Sequence, residues 1–272
     1  MKNFLVSLYF LFPTIFTIIL VLLTPIPSAQ LTTSETRILL QLQTLLEYPQ
    51  EYPQLLQNNI TNFCNISSSP SFNIVCTKNH VTELTIIGNK TRPVSWNSSK
   101  TLSERFSIDS FFTVLTKLSN MKVLSLVSLG LWGPLPSKIS RFKSLEVFNI
   151  SSNFLYGKIP SSVSSMKNLE SLVLADNFFN GSVPNLKRLT SLEEINLANN
   201  RLGPGFPSFL FSLPLIQKLN LASNQFNGSF SMNISCGFSL TIVDISNNSL
   251  EGKLPSCIDS TLSLESNNSL FW

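Results

Sequence analysis

From residue 121 onward one pattern recurs. An apolar residue opens each unit at Met121, Leu145, Leu169, Leu192, Ile216 and Leu240, in steps of 24, 24, 23, 24 and 24 residues. A period of this length constrains the fold more than composition does. Each unit is one supersecondary element that cannot bury its apolar face alone, so stacked neighbours must supply the core. The unit reads L-x-x-L-x-L-x-x-N-x-L-x-G-x-I-P, as in Leu145-Glu-Val-Phe148-Asn-Ile150-Ser-Ser-Asn153-Phe-Leu155-Tyr-Gly157-Lys-Ile159-Pro160. The L-x-L core has period two, which predicts a short strand with leucines inward and the x residues outward. Stacked copies then form a parallel sheet with strands ~4.8 Å apart.

The remaining positions of the unit have their own physical reasons. Asn153, Asn177, Asn200, Asn224 and Asn248 share one slot. A buried amide there both donates and accepts, and satisfies backbone groups where the chain leaves the strand. Gly157, Gly181, Gly228 and Gly252 permit backbone angles that a side chain opposes. The prolines fix φ at the start of the convex run. Leu129 stands in the Asn slot of the first full unit, Pro204 replaces Gly in the fourth, and the fifth lacks its proline. Local irregularity is expected there, within an intact fold.

Upstream, Val81-Thr-Glu-Leu84-Thr-Ile86-Ile-Gly-Asn89 reads as a further strand, with Asn89 in the buried slot. It precedes an insertion, with a loop over Lys90 to Phe106 and a convex helix over Ile108 to Leu118. Thr32 and Glu35 form a capping box. Leu39, Leu42 and Leu46 follow at helical spacing, and Pro49 stops the helix. Such a helix covers the exposed end of the first strand.

The first residues speak for export. Lys2 gives a positive start, Phe4 to Leu23 is almost wholly apolar, and Ser28-Ala29 offers a small-residue cleavage site. The alternative is an uncleaved signal anchor. Four cysteines in an exported chain suggest disulfides and allow three pairings. Their positions, Cys64/Cys76 before the repeats and Cys236/Cys257 near their end, favour pairing within each couple; buried thiols are the alternative for the second. The expected organisation is a signal peptide at 1–29, an N-terminal cap at 30–80, an enlarged first repeat at 81–120, six repeats at 121–263 and a truncated tail at 264–272.

The cap, the cysteine couple and the Gly-x-Ile-Pro units resemble the ectodomain of plant leucine-rich-repeat receptor-like proteins. The run Val127-Ser-Leu129-Gly-Leu131-Trp132-Gly133-Pro-Leu-Pro136 is similar to the subgroup called probable inactive leucine-rich-repeat receptor-like kinases. The resemblance implies an α/β repeat fold, a right-handed leucine-rich-repeat solenoid with a parallel concave β-sheet and an N-terminal helical cap. It further implies a membrane-spanning helix and a kinase-like domain, which do not follow in this sequence, so a natural short form or an incomplete gene product is expected.

Enzymatic constellations are not visible. His80 is the single histidine and reads as a solvated turn residue. Gly203-Pro-Gly205 is too short for a phosphate loop, neither cysteine couple has C-x-x-C spacing, and no kinase motif occurs. No cofactor or metal is expected. The formal charge of +4, with 12% charged residues, is too small and scattered to indicate nucleic acid.

Binding is therefore the expected activity. Outward residues of successive strands align in columns. One column reads Lys122, Glu146, Glu170, Glu193, Gln217, and its neighbour Val123, Val147, Ser171, Glu194, Lys218, Ile242, with Asp244 nearby. Stacked carboxylates repel each other, which points to a basic or amide-rich partner. Lys122, Glu146, Glu170, Glu193, Glu194, Lys218 and Asp244 are the candidate ligand-binding residues. The expected partner is an extracellular peptide or protein, including a co-receptor ectodomain. Alternatives are a fragment of a membrane-bound inactive receptor-like kinase and a secreted enzyme-inhibitor-type repeat protein. Phe154, Phe178 and Trp132 near the turns either contact a partner or pack along the stack. Of the Asn-x-Ser/Thr sequons, Asn97 and Asn180 are the expected glycosylation sites. The expected location is the secretory pathway, then the apoplast or cell surface.

Overall fold

The computed structural model describes residues 31–46, 63–90, 101–229 and 240–253, together with the strand backbones at 262–263 and 269–271. The expectations at Asn97, Cys236, Cys257 and residues 1–29 lie outside the described residues.

The chain begins with helix α1 (Thr33–Leu45). Thr32 caps it, its hydroxyl accepting from the Glu35 N–H at 3.3 Å. The second half of the expected capping box does not form. The Glu35 carboxylate turns instead to the first strands, accepting from the Val81 N–H at 2.7 Å and meeting His80 Nδ1 at 3.0 Å. His80 is therefore a partnered clasp between cap and sheet rather than a free turn residue. Glu35 is buried, so two partners on β2 outweigh the local N-terminal bond.

Strand β1 (Phe72–Thr77) pairs antiparallel with β2 (His80–Lys90). Lys78 and Asn79, both at positive φ, make the two-residue turn that suits a hairpin's twist. A disulfide joins Cys64 to Cys76, tying the segment before β1 to the hairpin. From β2 the sheet continues in parallel through β3 (Val123–Leu129), β5 (Val147–Asn149), β7 (Ser171–Val173), β9 (Glu194–Asn196), β11 (Lys218–Asn220), β13 (Ile242–Asp244) and β15 (Leu262–Ser263). The repeat register is kept: Val123, Val147, Ser171, Glu194, Lys218 and Ile242 are successive neighbours.

After each strand the chain turns through one residue in the left-handed region, at Ser128, Ser152, Asp176, Asn199, Ser223 and Asn247. Short polar side chains tolerate this conformation best after glycine. Next comes the asparagine slot, and the expected role is the observed one. Asn153 Oδ1 accepts from the Leu129 and Leu131 N–H groups, while its Nδ2 donates to the Leu126, Ile150 and Ser151 carbonyls. Asn177, Asn200, Asn224 and Asn248 repeat the pattern. Leu129 escapes the need for an amide because β2 runs on to Lys90, which pairs with Leu129. For the same reason Asn89 lies in extended strand and is exposed, contrary to the buried slot expected for it.

Beyond the slot, a second set of short strands forms: β4 (Trp132–Pro134), β6 (Phe154–Lys158), β8 (Phe178–Gly181) and β10 (Arg201–Leu202) in one sheet. A further sheet holds β12 (Asn227–Ser229), β14 (Ser249–Lys253) and β16 (Ser269–Phe271). Pro136, Pro160 and Pro207 then start 3₁₀ turns at Ser137–Arg141, Ser161–Ser165 and Ser208–Ser212. In the enlarged first repeat helix α2 (Ile108–Leu115) takes this place, burying Ile108, Phe111, Phe112 and Leu115. The fourth unit is irregular as expected, with a cis Gly203–Pro204 bond and a strand of only two residues.

The core is the sum of the repeats. The unit from Leu145 buries Leu145, Phe148, Ile150, Leu155, Ile159, Val163 and Met166. Each such side chain is worth about 1.5–3 kcal/mol against exposure. Strand β15 extends the long sheet at the end of the segment read as six repeats, and β16 extends the flanking sheet within the segment read as a truncated tail.

Candidate functional site

The solvent face of the long sheet displays the columns expected from the sequence. The first column lies just before the strands and is set by a backbone ladder. The Glu146 N–H donates to the Lys122 carbonyl, Glu170 to Glu146, Glu193 to Glu170, and Gln217 to Glu193, at 2.7–2.8 Å. Lys122, Glu146, Glu170 and Glu193 thus sit one strand apart from each other. Lys122 Nζ donates to Glu146 Oε1 at 2.6 Å. That bond, with the charge of Glu146 and then of Glu170, raises the pKa of the Lys122 ammonium above its ordinary 10.5. Lys122 offsets the first carboxylate, while Glu170 and Glu193 remain exposed with no ion pair among the described residues.

The second column brings Glu194 and Lys218 onto adjacent strands, and the Ser171 hydroxyl donates to Glu194 Oε2 at 3.0 Å. Asp244 stands apart from both. It belongs to a third column with Ser125, Asn149, Val173, Asn196 and Asn220. Most of these side chains turn back on their own chain. Asn149, Asn196, Asn220 and Asp244 each accept from the N–H two residues on, at 3.0–3.1 Å. The Asp244 carboxylate therefore stabilises the turn into Asn247 before it meets any ligand.

The sequence reading missed an apolar area beside these charges. Ile87 is exposed, and Val123, Val127, Val147 and Val173 are half-buried on the same face. Their signal was present: valine or isoleucine at outward positions of successive strands. The face is thus apolar towards β2–β7 and acidic along one edge. Phe154 and Phe178 are buried, with ring centroids 6.2 Å apart, and Arg201 lies 4.9 Å over Phe178. They pack along the stack. Trp132 is half-buried, its indole N–H donating to the Ser103 carbonyl at 3.3 Å. A cavity of about 500 Å³ beside it, lined among others by Phe106, Pro134 and Tyr156, lies on the flank made by β4 and β6. Asn180 is exposed in β8. No cluster able to hold a metal ion occurs among the described residues.

This register of outward columns, inward leucines and asparagine ladder coincides with a family pattern. The model of the Leucine Rich Repeat family matches residues 144–166, 191–213 and 239–261. The chain carries leucine-rich repeats and has their solenoid fold. A probable LRR receptor-like serine/threonine-protein kinase of Arabidopsis thaliana is 52% identical to it over 134 residues, which make up 49% of this chain and 17% of that protein. A probable inactive leucine-rich repeat receptor-like protein kinase of the same plant is 48% identical over 43% of the chain and 14% of its own length. The chain thus spans only a small part of these relatives. The solved LRR ectodomain of the plant membrane receptor kinase GASSHO1/SCHENGEN3 from Arabidopsis thaliana aligns with 86% of the chain and 27% of that ectodomain. The TM-score is 0.64 at 30% identity, and that ectodomain was crystallised in complex with Casparian strip integrity factor 2. The similarity to plant receptor-like kinases, one of them of the inactive type, agrees with the resemblance carried by the repeats. Among the described residues no helix is long and apolar enough to cross a membrane.

Proposed function

We propose that this chain is a non-catalytic binding ectodomain that takes an extended peptide, or a segment of a partner ectodomain, across the solvent face of its long sheet. The observation that carries the reading is the column of Glu146, Glu170 and Glu193, locked in register by the backbone ladder and neutralised only at its Lys122 end. A fixed row of carboxylates beside an apolar area favours a ligand that pairs Lys or Arg with an apolar side chain. Rigid strands hold these groups in place before binding, which lowers the ordering cost on association. The ectodomain similar to this chain that was crystallised in complex with Casparian strip integrity factor 2 supports a ligand of this kind. Co-receptor contact belongs to the same proposal.

Export fits this role. We place the signal peptide at 1–29 with the mature chain in the apoplast or at the cell surface, glycans on Asn97 and Asn180, and a second disulfide between Cys236 and Cys257. Exposure of Asn180 in β8 supports the second glycan site.

The test uses an extended probe peptide that alternates lysine and leucine. Replacing Glu146, Glu170 and Glu193 together by Gln is expected to weaken its binding by roughly tenfold or more, since each rim charge pair is worth up to ~1 kcal/mol. Added salt narrows the difference. Equal affinity of wild type and triple variant overturns the assignment of the column.

A further inference from the structure

The two sides of the repeat differ in charge sign. From residue 121 to 248, every acidic residue falls at the entry to a strand, in it or in the turn that leaves it: Glu146, Glu170, Asp176, Glu193, Glu194 and Asp244. The returning segments at 130–144, 153–168, 177–191 and 200–215 hold no acidic residue at all. They carry Lys138, Arg141, Lys143, Lys158, Lys167, Lys187, Arg188 and Arg201. Lys138 is paired with Asp109 of α2 at 2.6 Å, and Arg201 covers Phe178. Lys158 is exposed on the β6 flank.

The remaining five form a stripe. Arg141 closes the 3₁₀ turn Ser137–Arg141. Lys143 and Lys167 occupy the same repeat position, two residues before Leu145 and Leu169. The Asn168 side chain donates to the Lys143 carbonyl at 3.0 Å, which fixes these two units side by side. Arg188 repeats the position of Arg141, four residues before Leu192. Lys187 beside it is held in a turn whose N–H donates to Asn185 Oδ1 at 3.0 Å. All five are exposed, and none is in an ion pair among the described residues.

We propose that this stripe is a binding surface for a linear polycarboxylate, a polyuronate chain lying along the stack of repeats. The argument is charge complementarity with direction. A linear polyanion presents charge at regular intervals along its length, and the stripe presents cations on successive repeats. Arg141 and Arg188 stand at its two ends with three lysines between them, and a guanidinium matches a carboxylate with two parallel hydrogen bonds. Lys143 and Lys167 stand three residues before Glu146 and Glu170, so the polymer follows the cations along the returning segments and keeps off the neighbouring row of carboxylates. A lipid surface is the weaker fit. Among the described residues the exposed large apolar side chains are Leu40, Ile87, Tyr156, Leu215 and Ile242, and none belongs to the stripe, which therefore offers a bilayer no apolar side chain to insert. The polymer and a basic peptide then take different rows of side chains. The inference rests on the extracellular placement of the chain proposed above, but on different residues.

The experiment measures retention of the full secreted chain on immobilised polygalacturonate, with fully methyl-esterified pectin as the uncharged control. Wild type is expected to bind the charged polymer alone and to be released as ionic strength rises from about 0.05 M to about 0.5 M. The variant R141Q/K143Q/K167Q/K187Q/R188Q is expected to lose at least about tenfold in affinity, by the same rim-pair magnitude. It should keep the wild-type melting curve and bind the lysine–leucine probe no more weakly than wild type does. The pair K187Q/R188Q should show an intermediate loss. Equal retention of wild type and the five-site variant overturns the proposal. So does binding to anionic phospholipid vesicles without binding to polygalacturonate. Self-association in light scattering that the five-site variant abolishes, without polymer binding, also overturns it, since a second copy's acidic face is then the occupant. Loss of probe binding in the Glu146/Glu170/Glu193 variant reads on the peptide site alone, so the two proposals fail separately.

Discussion

The asparagine ladder predicts unequal costs for chemically identical substitutions. Asn153 is fully buried and its Oδ1 serves two backbone donors, the N–H groups of Leu129 and Leu131. Asn224 is half-buried and its Oδ1 serves one, the N–H of Leu202. An unpaired buried donor costs about 1–3 kcal/mol, and water relieves that cost where it can enter. Asn153→Ala therefore strands two dry donors and the Leu126 carbonyl, for an expected loss of about 3–5 kcal/mol. Asn224→Ala strands one donor and the Leu197 carbonyl at a wetter site, for about 1–2 kcal/mol. Urea unfolding followed by far-ultraviolet circular dichroism measures both. Hydrogen exchange at Leu129 and Leu131 localises the effect. If Asn224→Ala costs as much as Asn153→Ala, or if Asn153→Ala costs less than about 1 kcal/mol, the slot is not held by these hydrogen bonds and the reasoning is refuted.

Three further outcomes follow from particular contacts. Glu35→Ala leaves the buried Val81 N–H without its acceptor, so amide exchange in α1 should quicken and stability fall by about 1–3 kcal/mol; Glu35→Gln, which keeps an oxygen there, should cost less, and unchanged exchange in α1 would sink the clasp. A Cβ on Gly203 would overlap the Gln225 carbonyl oxygen, whereas one on Gly205 meets nothing within 4 Å. Gly203→Ala should thus cost clearly more than Gly205→Ala, whose left-handed φ alone costs about 1–2 kcal/mol, and equal thermal melts would contradict this. The pKa of Lys122 is raised by Glu146 and Glu170. Its contribution is complete below the ordinary lysine value and fades only as pH rises through the raised one, above 10.5. In Glu146→Gln the Lys122 titration, followed by carbon-13 NMR at Cε, should move down, and an unmoved midpoint would remove the bond.

Much of this fold was legible because its signals are local and repeated. The L-x-x-L-x-L spacing places the strands, the slot asparagines announce their ladder, and Pro136, Pro160 and Pro207 mark where the 3₁₀ turns begin. The columns of Lys122, Glu146, Glu170, Glu193 and of Glu194, Lys218 follow from period-two alternation plus a constant repeat length. What was not legible depends on neighbours. Strands β4, β6, β8 and β10 span two to five residues, too few for alternation to register, and exist because the preceding repeat offers an edge. The hairpin of β1 and β2 turns on Lys78-Asn79, a weaker signal than Asn-Gly. Glu35 reads locally as a capping residue, and only the approach of β2 shows why it turns away. Asn89 fits the slot by spacing, yet β2 continues past it. Asp244 looks like a free charge until the turn to Ser246 closes on it.

The central claim is that the solvent face of the long sheet, at its acidic edge, is where a ligand binds. The most direct measurement is to select tight binders to the chain from a random extended-peptide library and map the best one by cross-linking mass spectrometry. The account predicts selected peptides that pair Lys or Arg with an apolar residue, cross-linked to Glu146, Glu170, Glu193 and Lys218. Cross-links confined to the Trp132–Tyr156 flank or to the Arg141–Arg188 stripe, or selected peptides rich in acidic residues, would contradict it.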